Sequence, residues 1–560
     1  MKVLKINKLN TSNTANINFK ANPVIKNVRI KPKNDIFIKS KGLNMMEKFI
    51  NLRENFSEKL YPLYLKSELS CWNFYINSTD ENLQKYKTAQ EEFFNLYKDE
   101  DFYKELLKID ETKLNPHEAK QLKNLKDSFK EELNAGDDLK ELREKENNIA
   151  QKYNSYVPKI DNKEVSKTEI TEILQKEKNV DLRKKAYEAN IIGGDLIAED
   201  LKDFAILRNN YARKKGYSNY FEYKLKDSYE VDLIELEKLL DDVYSKSSDL
   251  IKKYLTKEQE NLKKVFGVDE LKPYHYGYLS DDKPEKKVND SFKTKEQIVE
   301  IAKKTYKGMG YNIDDLEKNG NITLDLFPRK NKNTHGFCFG IDAGADARIL
   351  ANLTNNTYSL ETLNHELGHC VYTLGTVKEL PFLDRDQYPA MTEAIAMMMQ
   401  DLQKRENILD EYVNKDILEE YKKTFIEDEL SFITKALTII NFEKEMYKNP
   451  EQDLKKLWHD VNVKYKNRSE NEDLNNGWAT IPHYLSHPAY YQNYFRATII
   501  KAQIYNYLLS QLGNLTENTK TAEFLKENLF KLGMSLEENE LIENLTGKKL
   551  SVDDFLKSLK

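Results

Sequence analysis

The chain has 560 residues, enough for one large enzyme fold or for two to four average domains. Charged residues make up 32% and hydrophobic residues 39%, which favours a helix-rich protein that dissolves in water. Lysine plus arginine (88) nearly balance aspartate plus glutamate (93), and no apolar run approaches the ~18 residues of a membrane span. We therefore expect neither a nucleic-acid partner nor a membrane.

The N-terminal segment and the cysteines bear on location. Residues 1–43 are rich in lysine and asparagine and lack the continuous apolar core of a secretory signal, so we predict a flexible N-terminal leader. The three cysteines, Cys71, Cys338 and Cys370, are too few and odd in number for a disulfide framework. This pattern is typical of a reducing cytoplasm.

From about residue 44 to 310, apolar side chains recur every three or four positions among lysine and glutamate, which predicts helices. The pattern changes near residue 320, where 322–326, 337–339 and 349–353 are short strand candidates. We predict a small antiparallel sheet here. Helical patterning then resumes and continues to the C-terminus, so the predicted class is mainly α, with no linker that divides residues 44–560.

The helix after the sheet is predicted to run from an N-cap at Ser359 to a stop at Gly375. Leucines at 360, 363, 367 and 374, together with a cysteine at 370, form one apolar stripe that would hold it in a core. Another face carries His365, Glu366 and His369. One side of this helix is therefore predicted to be structural, and the other is available for chemistry.

The sequence His-Glu-Leu-Gly-His at 365–369 points to a particular chemistry. Positions four apart share a helix face, so His365 and His369 can present two imidazoles to one Zn²⁺. Glu366 projects beside them and is placed to take a proton from a water molecule. At this point the alternative is a helix whose histidines face solvent or make ordinary hydrogen bonds.

The following helix begins at Pro389 and is apolar almost all round, so it should be buried. It contains one carboxylate, Glu393, and burying an unpaired charge costs on the order of several kcal/mol. Glu393 therefore needs a cation, either a zinc ion on the two imidazoles or a lysine or arginine. The compact metzincin extension is excluded because Tyr372 and Gly375 stand where glycine and histidine would be required. Three ligands would leave a fourth position open, as in catalytic zinc sites.

Residues 478–494 are dense in histidine and tyrosine. Peptide hydrolysis needs hydrogen-bond donors aimed at the developing oxyanion, and a histidine N–H and a tyrosine O–H suit that task. The alternative is an aromatic core segment with satisfied polar tips, which we expect for most of these tyrosines.

Together these motifs resemble the angiotensin-converting-enzyme-like dipeptidyl carboxypeptidases (M2) and, more distantly, the thimet and oligopeptidase F group (M3). All are gluzincins, with His-Glu-x-x-His and a downstream glutamate. The run 392–395 around Glu393 and the run 72–77 (Trp-Asn-Phe-Tyr-Ile-Asn) look closest to the converting enzymes. The run 481–484 (Ile-Pro-His-Tyr) looks more like oligopeptidase F. The resemblance covers residues 44–560.

The resemblance implies a mainly α, two-lobed helical ellipsoid with a deep central cleft, formed by a single catalytic domain over residues 44–560. It implies one Zn²⁺ held by His365, His369 and Glu393. Glu366 would act as general base and later as general acid.

The resemblance also assigns roles near the C-terminal end of the site. His483 and Tyr494 match the pair that stabilises the tetrahedral intermediate, and Tyr491 matches a substrate-binding tyrosine. One extra residue between His483 and Tyr494 leaves Tyr490 as a rival for this role. His335 matches a histidine on the substrate-side strand, whose backbone would pair with an extended peptide.

Three positions depart from the converting enzymes. Ile481 replaces the lysine that binds a substrate carboxylate, Asn493 replaces an arginine tied to chloride activation, and Met397 replaces an aspartate that supports a ligand histidine. Neither strict dipeptide release nor chloride dependence is therefore implied. We predict a monomeric zinc metallopeptidase that hydrolyses short peptides, either a dipeptidyl carboxypeptidase or an oligopeptidase. The competing hypothesis is a zinc- or peptide-binding relative with little or no turnover.

Overall fold

The computed structural model describes residues 44–133, 137–280 and 283–560. The predicted leader, residues 1–43, lies outside these ranges. Within them the chain is mainly α, which confirms the predicted class. None of the described helices combines the length and the apolar character needed to cross a bilayer.

The N-terminal half is built from helices and one short two-stranded ribbon. The first helix begins where Asn44 and Glu47 cap each other's backbone N–H groups. The described elements, in chain order, are α1 (Met45–Ile76), α2 (Asp80–Asn95), α3 (Glu100–Leu107), α4 (Pro116–Leu133), α5 (Asp137–Ser155), β1 (Lys159–Ile160), β2 (Lys163–Glu164), α6 (Lys167–Lys176), α7 (Val180–Lys214), α8 (Tyr220–Tyr223), α9 (Leu233–Phe266), α10 (Pro284–Asn289), α11 (Lys295–Met309) and α12 (Ile313–Lys318).

A three-stranded sheet follows, made of β3 (Ile322–Asp325), β4 (Phe337–Asp342) and β5 (Asp346–Leu350) in the order β3–β5–β4. β4 and β5 are joined by a short turn and pair antiparallel, whereas β3 pairs parallel to β5. The prediction of an antiparallel sheet is therefore wrong for one of the two pairs. Alternation of apolar residues reports a strand but not its direction, which depends here on β3 docking on the far side of β5.

The C-terminal part is helical again. Its described helices are α13 (Thr357–Gly375), α14 (Pro389–Arg405), α15 (Lys415–Lys448), α16 (Leu454–Lys466), α17 (Pro482–Ser486), α18 (Tyr491–Leu512), α19 (Lys520–Asn528), α20 (Glu538–Thr546) and α21 (Asp553–Ser558). The predicted end of α13 at Gly375 agrees with the structure, but the predicted N-cap at Ser359 is wrong. The cap is Asn356, whose side chain accepts the Ser359 N–H at 2.8 Å, so the helix starts one turn earlier.

Strand β4 lies between α1 and α13. Phe339 points toward α1, where its ring meets the Trp72 ring at 5.4 Å. Cys338 points the other way and places its Sγ 2.9 Å from the Sγ of Cys370 on α13. Cys370 is itself fully buried, as its place in the apolar stripe predicted. β4 is an edge strand of this sheet, with one face against α1 and the other against α13.

Two large hydrophobic cores meet at the site described below. One contains α11, the sheet, α13 and α14; the other contains α7, α9, α16 and α17. Helices α15 and α18 contribute buried side chains to both cores. The outline of two lobes around a cleft stays a prediction from the resemblance.

Candidate metal centre

Helix α13 presents the predicted chemical face. Its leucine stripe is buried in the first core, while the side chains of His365 and His369 keep 20% and 18% of their surface exposed. Glu366 lies between them and is 8% exposed. The two imidazole Nε2 atoms are 3.2 Å apart, so both nitrogens point at one place.

Helix α14 crosses α13 at close range because of Gly368. A Cβ on this residue would lie only 2.8 Å from the Ala396 Cα, so the two helix backbones are nearly in contact there. Glu393 is one turn away from Ala396 on the same helix. Its Oε2 consequently lies 3.5 Å from the His365 Nε2 and 3.8 Å from the His369 Nε2.

These three donor atoms fit a zinc ion. Ligand atoms about 2.1 Å from a tetrahedral zinc are about 3.4 Å from one another. The observed separations of 3.2, 3.5 and 3.8 Å bracket this value. Glu393 Oε2 is buried and accepts no hydrogen bond from the described residues, although a buried carboxylate oxygen needs a partner. The imidazoles thus occupy the place that the alternative hypothesis gave to lysine or arginine.

The charge states of Glu393 and His369 suit the binding of a cation. Burial opposes ionisation of Glu393, but the two imidazoles and the Tyr490 hydroxyl outweigh it and lower the pKa of this carboxylate. Burial lowers the pKa of His369 to about 4, which leaves a neutral imidazole with a free lone pair. Burial acts in the same sense on His365, but the Glu393 and Glu366 carboxylates outweigh it and raise its pKa.

The remaining imidazole nitrogens are held by α14. His365 Nδ1 lies 3.1 Å from the Gln400 Oε1, and His369 Nδ1 lies 2.8 Å from the Thr392 Oγ1. Such contacts orient ligand imidazoles and fix which nitrogen carries the proton. Neither residue was singled out from the sequence. For Gln400 the available signal was its spacing, because it follows Glu393 by seven positions and lies on the same face of α14.

The start of β4 passes directly over Glu366. A Cβ on Gly336 would lie 3.6 Å from the Glu366 Oε1. Burial raises the pKa of Glu366 to about 7. His335 precedes Gly336 in an exposed loop, where its N–H donates to the Asn333 Oδ1 at 2.9 Å. Glu366, a group able to take and return a proton near neutral pH, therefore lies beneath the edge strand β4.

Helices α17 and α18 bring the predicted aromatic residues to the other side of Glu393. The His483 ring lies 4.7 Å from the Tyr491 ring and 6.2 Å from the Tyr494 ring. Tyr490 donates its O–H to the Glu393 Oε1 at 3.1 Å. Burial, reinforced by the charges of Glu393 and Glu366, raises the pKa of Tyr494 far above its ordinary value. The two rivals for the substrate-binding role therefore differ, since the Tyr490 hydroxyl is bonded to the Glu393 carboxylate and the Tyr491 ring packs on His483.

Comparison with known protein families gives two matches. Residues 44–275 match the family described as angiotensin-converting enzyme, and residues 173–560 match the family described as peptidase family M3. The second match spans well over half of the chain and includes every predicted site residue. The chain belongs to peptidase family M3. No curated protein matches the sequence.

The two matches together confirm the relationship to both gluzincin families that the motifs indicated. This M3 protein is therefore a peptidase of a metallopeptidase family, and the family implies zinc and a peptide substrate. The run 72–77, which looked closest to the converting enzymes, lies within the M2 match. The run 392–395, which also looked closest to them, and the run 481–484, which looked more like oligopeptidase F, lie within the M3 match.

In the M3 peptidase, α17 is held in place by α7 and α15. Arg208, 3% exposed on α7, donates to the Tyr484 carbonyl at 2.7 Å and to the Leu485 carbonyl at 2.5 Å. Tyr484 in turn donates its O–H to the Ile439 carbonyl on α15 at 3.2 Å. The two bonds from Arg208 satisfy carbonyls at the end of the short helix α17. Together with the bond from Tyr484 to α15, they fix the backbone that carries His483.

Proposed function

We propose that this M3 peptidase is a zinc-dependent oligopeptidase that hydrolyses short, unfolded peptides. The observation that carries the proposal is that the donor atoms of His365, His369 and Glu393 converge on one point. The Glu393 oxygen among them is buried and has no hydrogen-bond partner among the described residues. Glu366 follows His365 directly in the sequence. When bound there, zinc supplies a Lewis acid that polarises a carbonyl and makes a water molecule more acidic.

Glu366 is the proposed proton carrier. It takes the proton from the attacking water and returns it to the leaving amine. A pKa raised to about 7 by burial suits both steps, because the carboxyl group then exchanges its proton readily near neutral pH.

His483 and Tyr494 are the proposed donors to the oxyanion. Burial, together with His487 and Lys435, lowers the pKa of His483 to about 4, so it stays neutral and keeps one N–H to donate. The raised pKa of Tyr494 keeps its hydroxyl protonated. We therefore assign the hydroxyl donor of the oxyanion to Tyr494, as the resemblance implies, while the Tyr490 hydroxyl is already bonded to Glu393.

Substrate binding is proposed along β4. This strand is at the edge of its sheet, and its N-terminal end lies over Glu366, so an extended peptide can pair with its backbone near the reaction centre. His335 precedes this strand, and Tyr491 packs on His483, so both are proposed substrate contacts. With Ile481 in place of a carboxylate-binding lysine, we favour cleavage at internal bonds over release of C-terminal dipeptides.

The setting of the enzyme is also a proposal. All three cysteines are free thiols, which supports a reducing compartment such as the cytoplasm. We further propose that the protein acts as a monomer, which light scattering of the purified chain would test.

The test is hydrolysis of internally quenched peptides of five to twelve residues by the purified protein. We expect turnover that a chelator abolishes and that added zinc restores. Glu366→Gln should retain zinc by metal analysis and lose about 10²–10⁴-fold in kcat. Zinc binding without turnover in the wild-type protein would instead support a peptide-binding relative. Mass spectrometry of the products then distinguishes internal cuts from dipeptide release.

A further inference from the structure

Glu443 is a buried carboxyl group that the proposed reaction does not use. It lies on α15, is 1% exposed, and accepts the Ala489 N–H at 2.8 Å through its Oε1. The two residues are 46 positions apart in the sequence. Glu443 therefore ties helix α15 to the loop between α17 and α18.

That loop has a backbone conformation that needs support. Ala489 has a φ of +59°, in the left-handed region that costs free energy for any residue with a Cβ. On the N-terminal side, Tyr229 donates its O–H to the Pro488 carbonyl at 3.3 Å. Glu443 accepts the N–H of this same Pro488–Ala489 peptide group, so both polar atoms of the peptide that leads into the strained residue are held.

The residue after Ala489 reaches the metal centre. Tyr490 donates its hydroxyl to the Glu393 Oε1 at 3.1 Å, while the other oxygen of Glu393 faces the two imidazoles. One oxygen of this carboxylate is thus fixed by a protein donor, and the other is left for a metal. The direction in which the free oxygen points depends on where the loop places Tyr490.

We propose that Glu443 is a positioning residue for Glu393, acting through Ala489 and Tyr490. This inference rests on the proposed function, in which Glu393 is a zinc ligand. Glu443 sets the loop, the loop sets the Tyr490 hydroxyl, and the hydroxyl sets the orientation of the ligand carboxylate. A carboxylate freed from this hydrogen bond would sample other rotamers, and zinc affinity would fall.

The first test measures zinc affinity of the full-length apoprotein by competition with a metallochromic chelator. Glu443→Ala removes the acceptor and should raise the zinc Kd by about tenfold or more. Glu443→Gln should stay near the wild-type value, since an amide oxygen accepts the same bond. Burial raises the pKa of Glu443 to about 8, so the native group is largely neutral at pH 7 and glutamine matches its charge.

Glu406 provides a matched control. It is also a buried glutamate, 3% exposed, and it accepts the Tyr505 O–H at 2.9 Å and the Leu515 N–H at 3.4 Å. It caps the C-terminal end of α14, thirteen positions after Glu393. Glu406→Ala should lower the melting temperature without changing the zinc Kd. An equal rise in Kd for Glu406→Ala would mean that any loss of a buried acceptor has this effect, and it would overturn the proposal.

A double-mutant cycle tests the path itself. Tyr490→Phe alone should raise the zinc Kd, and adding Glu443→Ala to it should cause no further rise. Ala489→Gly, which removes the cost of the left-handed conformation, should restore part of the affinity lost in Glu443→Ala.

An unchanged Kd in Tyr490→Phe, or fully additive effects, would overturn the proposal even if Glu443→Ala did not fold. A wild-type protein that binds no zinc would overturn the proposed function and this inference together. A wild-type protein that binds zinc and cleaves peptides, with an unchanged Kd in a folded Glu443→Ala, would overturn this inference alone.

Discussion

The close crossing of α13 and α14 predicts the effect of adding a single methyl group. In Gly368→Ala the new Cβ would lie 2.8 Å from the Ala396 Cα, whereas ordinary contacts begin at 3.4 Å. The helices must therefore separate, by about 0.6 Å for ordinary contact, because the atom met is backbone and has no rotamer to change. Glu393, one turn from Ala396, moves with α14.

This displacement is large on the scale of metal coordination, where bond lengths hold to within about 0.2 Å. We therefore expect the zinc Kd of Gly368→Ala to rise at least tenfold. Stability should also fall, since overpacking costs about 1–3 kcal/mol and outweighs the 0.5–1 kcal/mol that alanine gains over glycine in a helix. Chelator competition and thermal unfolding of the apoprotein measure the two effects separately.

Gly193→Ala on α7 is the control for helix propensity. Its Cβ would meet the Tyr156 ring at 3.0 Å, which is a side chain that can move, and it is remote from the metal ligands in sequence. We expect an unchanged zinc Kd there. If Gly368→Ala bound zinc as tightly as the wild-type protein, the proposal that this crossing sets the ligand geometry would be refuted.

Three other substitutions probe separate parts of the site. Tyr494→Phe should lower kcat by about 10–1000-fold with a smaller change in KM, as expected for loss of one oxyanion donor; an unchanged kcat would remove Tyr494 from the mechanism. Gln400→Ala should raise the zinc Kd by about 10–100-fold, measured by chelator competition, because the His365 ring loses its orienting partner. His483 has a pKa lowered from 6.5 to about 4, so between these values the unfolded chain binds a proton that the folded chain does not, and stability falls as the pH is lowered. His483→Gln should accordingly reduce the loss of stability between pH 7 and pH 5 by about 2 kcal/mol in urea titrations, and an unchanged loss would contradict the burial argument.

The proposed metal ligands could be predicted because each depends on local pattern. Two imidazoles four apart on an amphipathic helix share a face whatever the rest of the chain does. Glu393 was recognised as a lone carboxylate in an apolar helix, and the structure places it beside those imidazoles. The direction of β3 and the start of α13 at Asn356 were missed, because strand pairing and cap choice depend on contacts that alternation and periodicity do not report.

The supporting residues could not be predicted in the same way. Gln400 reaches His365 only because α13 and α14 approach closely at Gly368, and nothing in either helix alone specifies this crossing. Glu443 has buried apolar neighbours in Phe442, Met446 and Tyr447, but Lys444 and Glu445 follow it directly in the sequence. The rule that singled out Glu393 therefore does not apply to Glu443, and its partner is a backbone N–H 46 residues away, which has no side-chain signature.

The order of the site along the chain has a consequence for synthesis. The imidazoles and Glu393 emerge from the ribosome well before Tyr490, which is 97 residues further on. A nascent chain that ends before α17 holds the proposed metal ligands but has neither of the proposed oxyanion donors. On the proposed mechanism, full hydrolytic capacity therefore arises only after α17 and α18 have been made and packed, and incomplete chains would degrade the peptides around them more slowly.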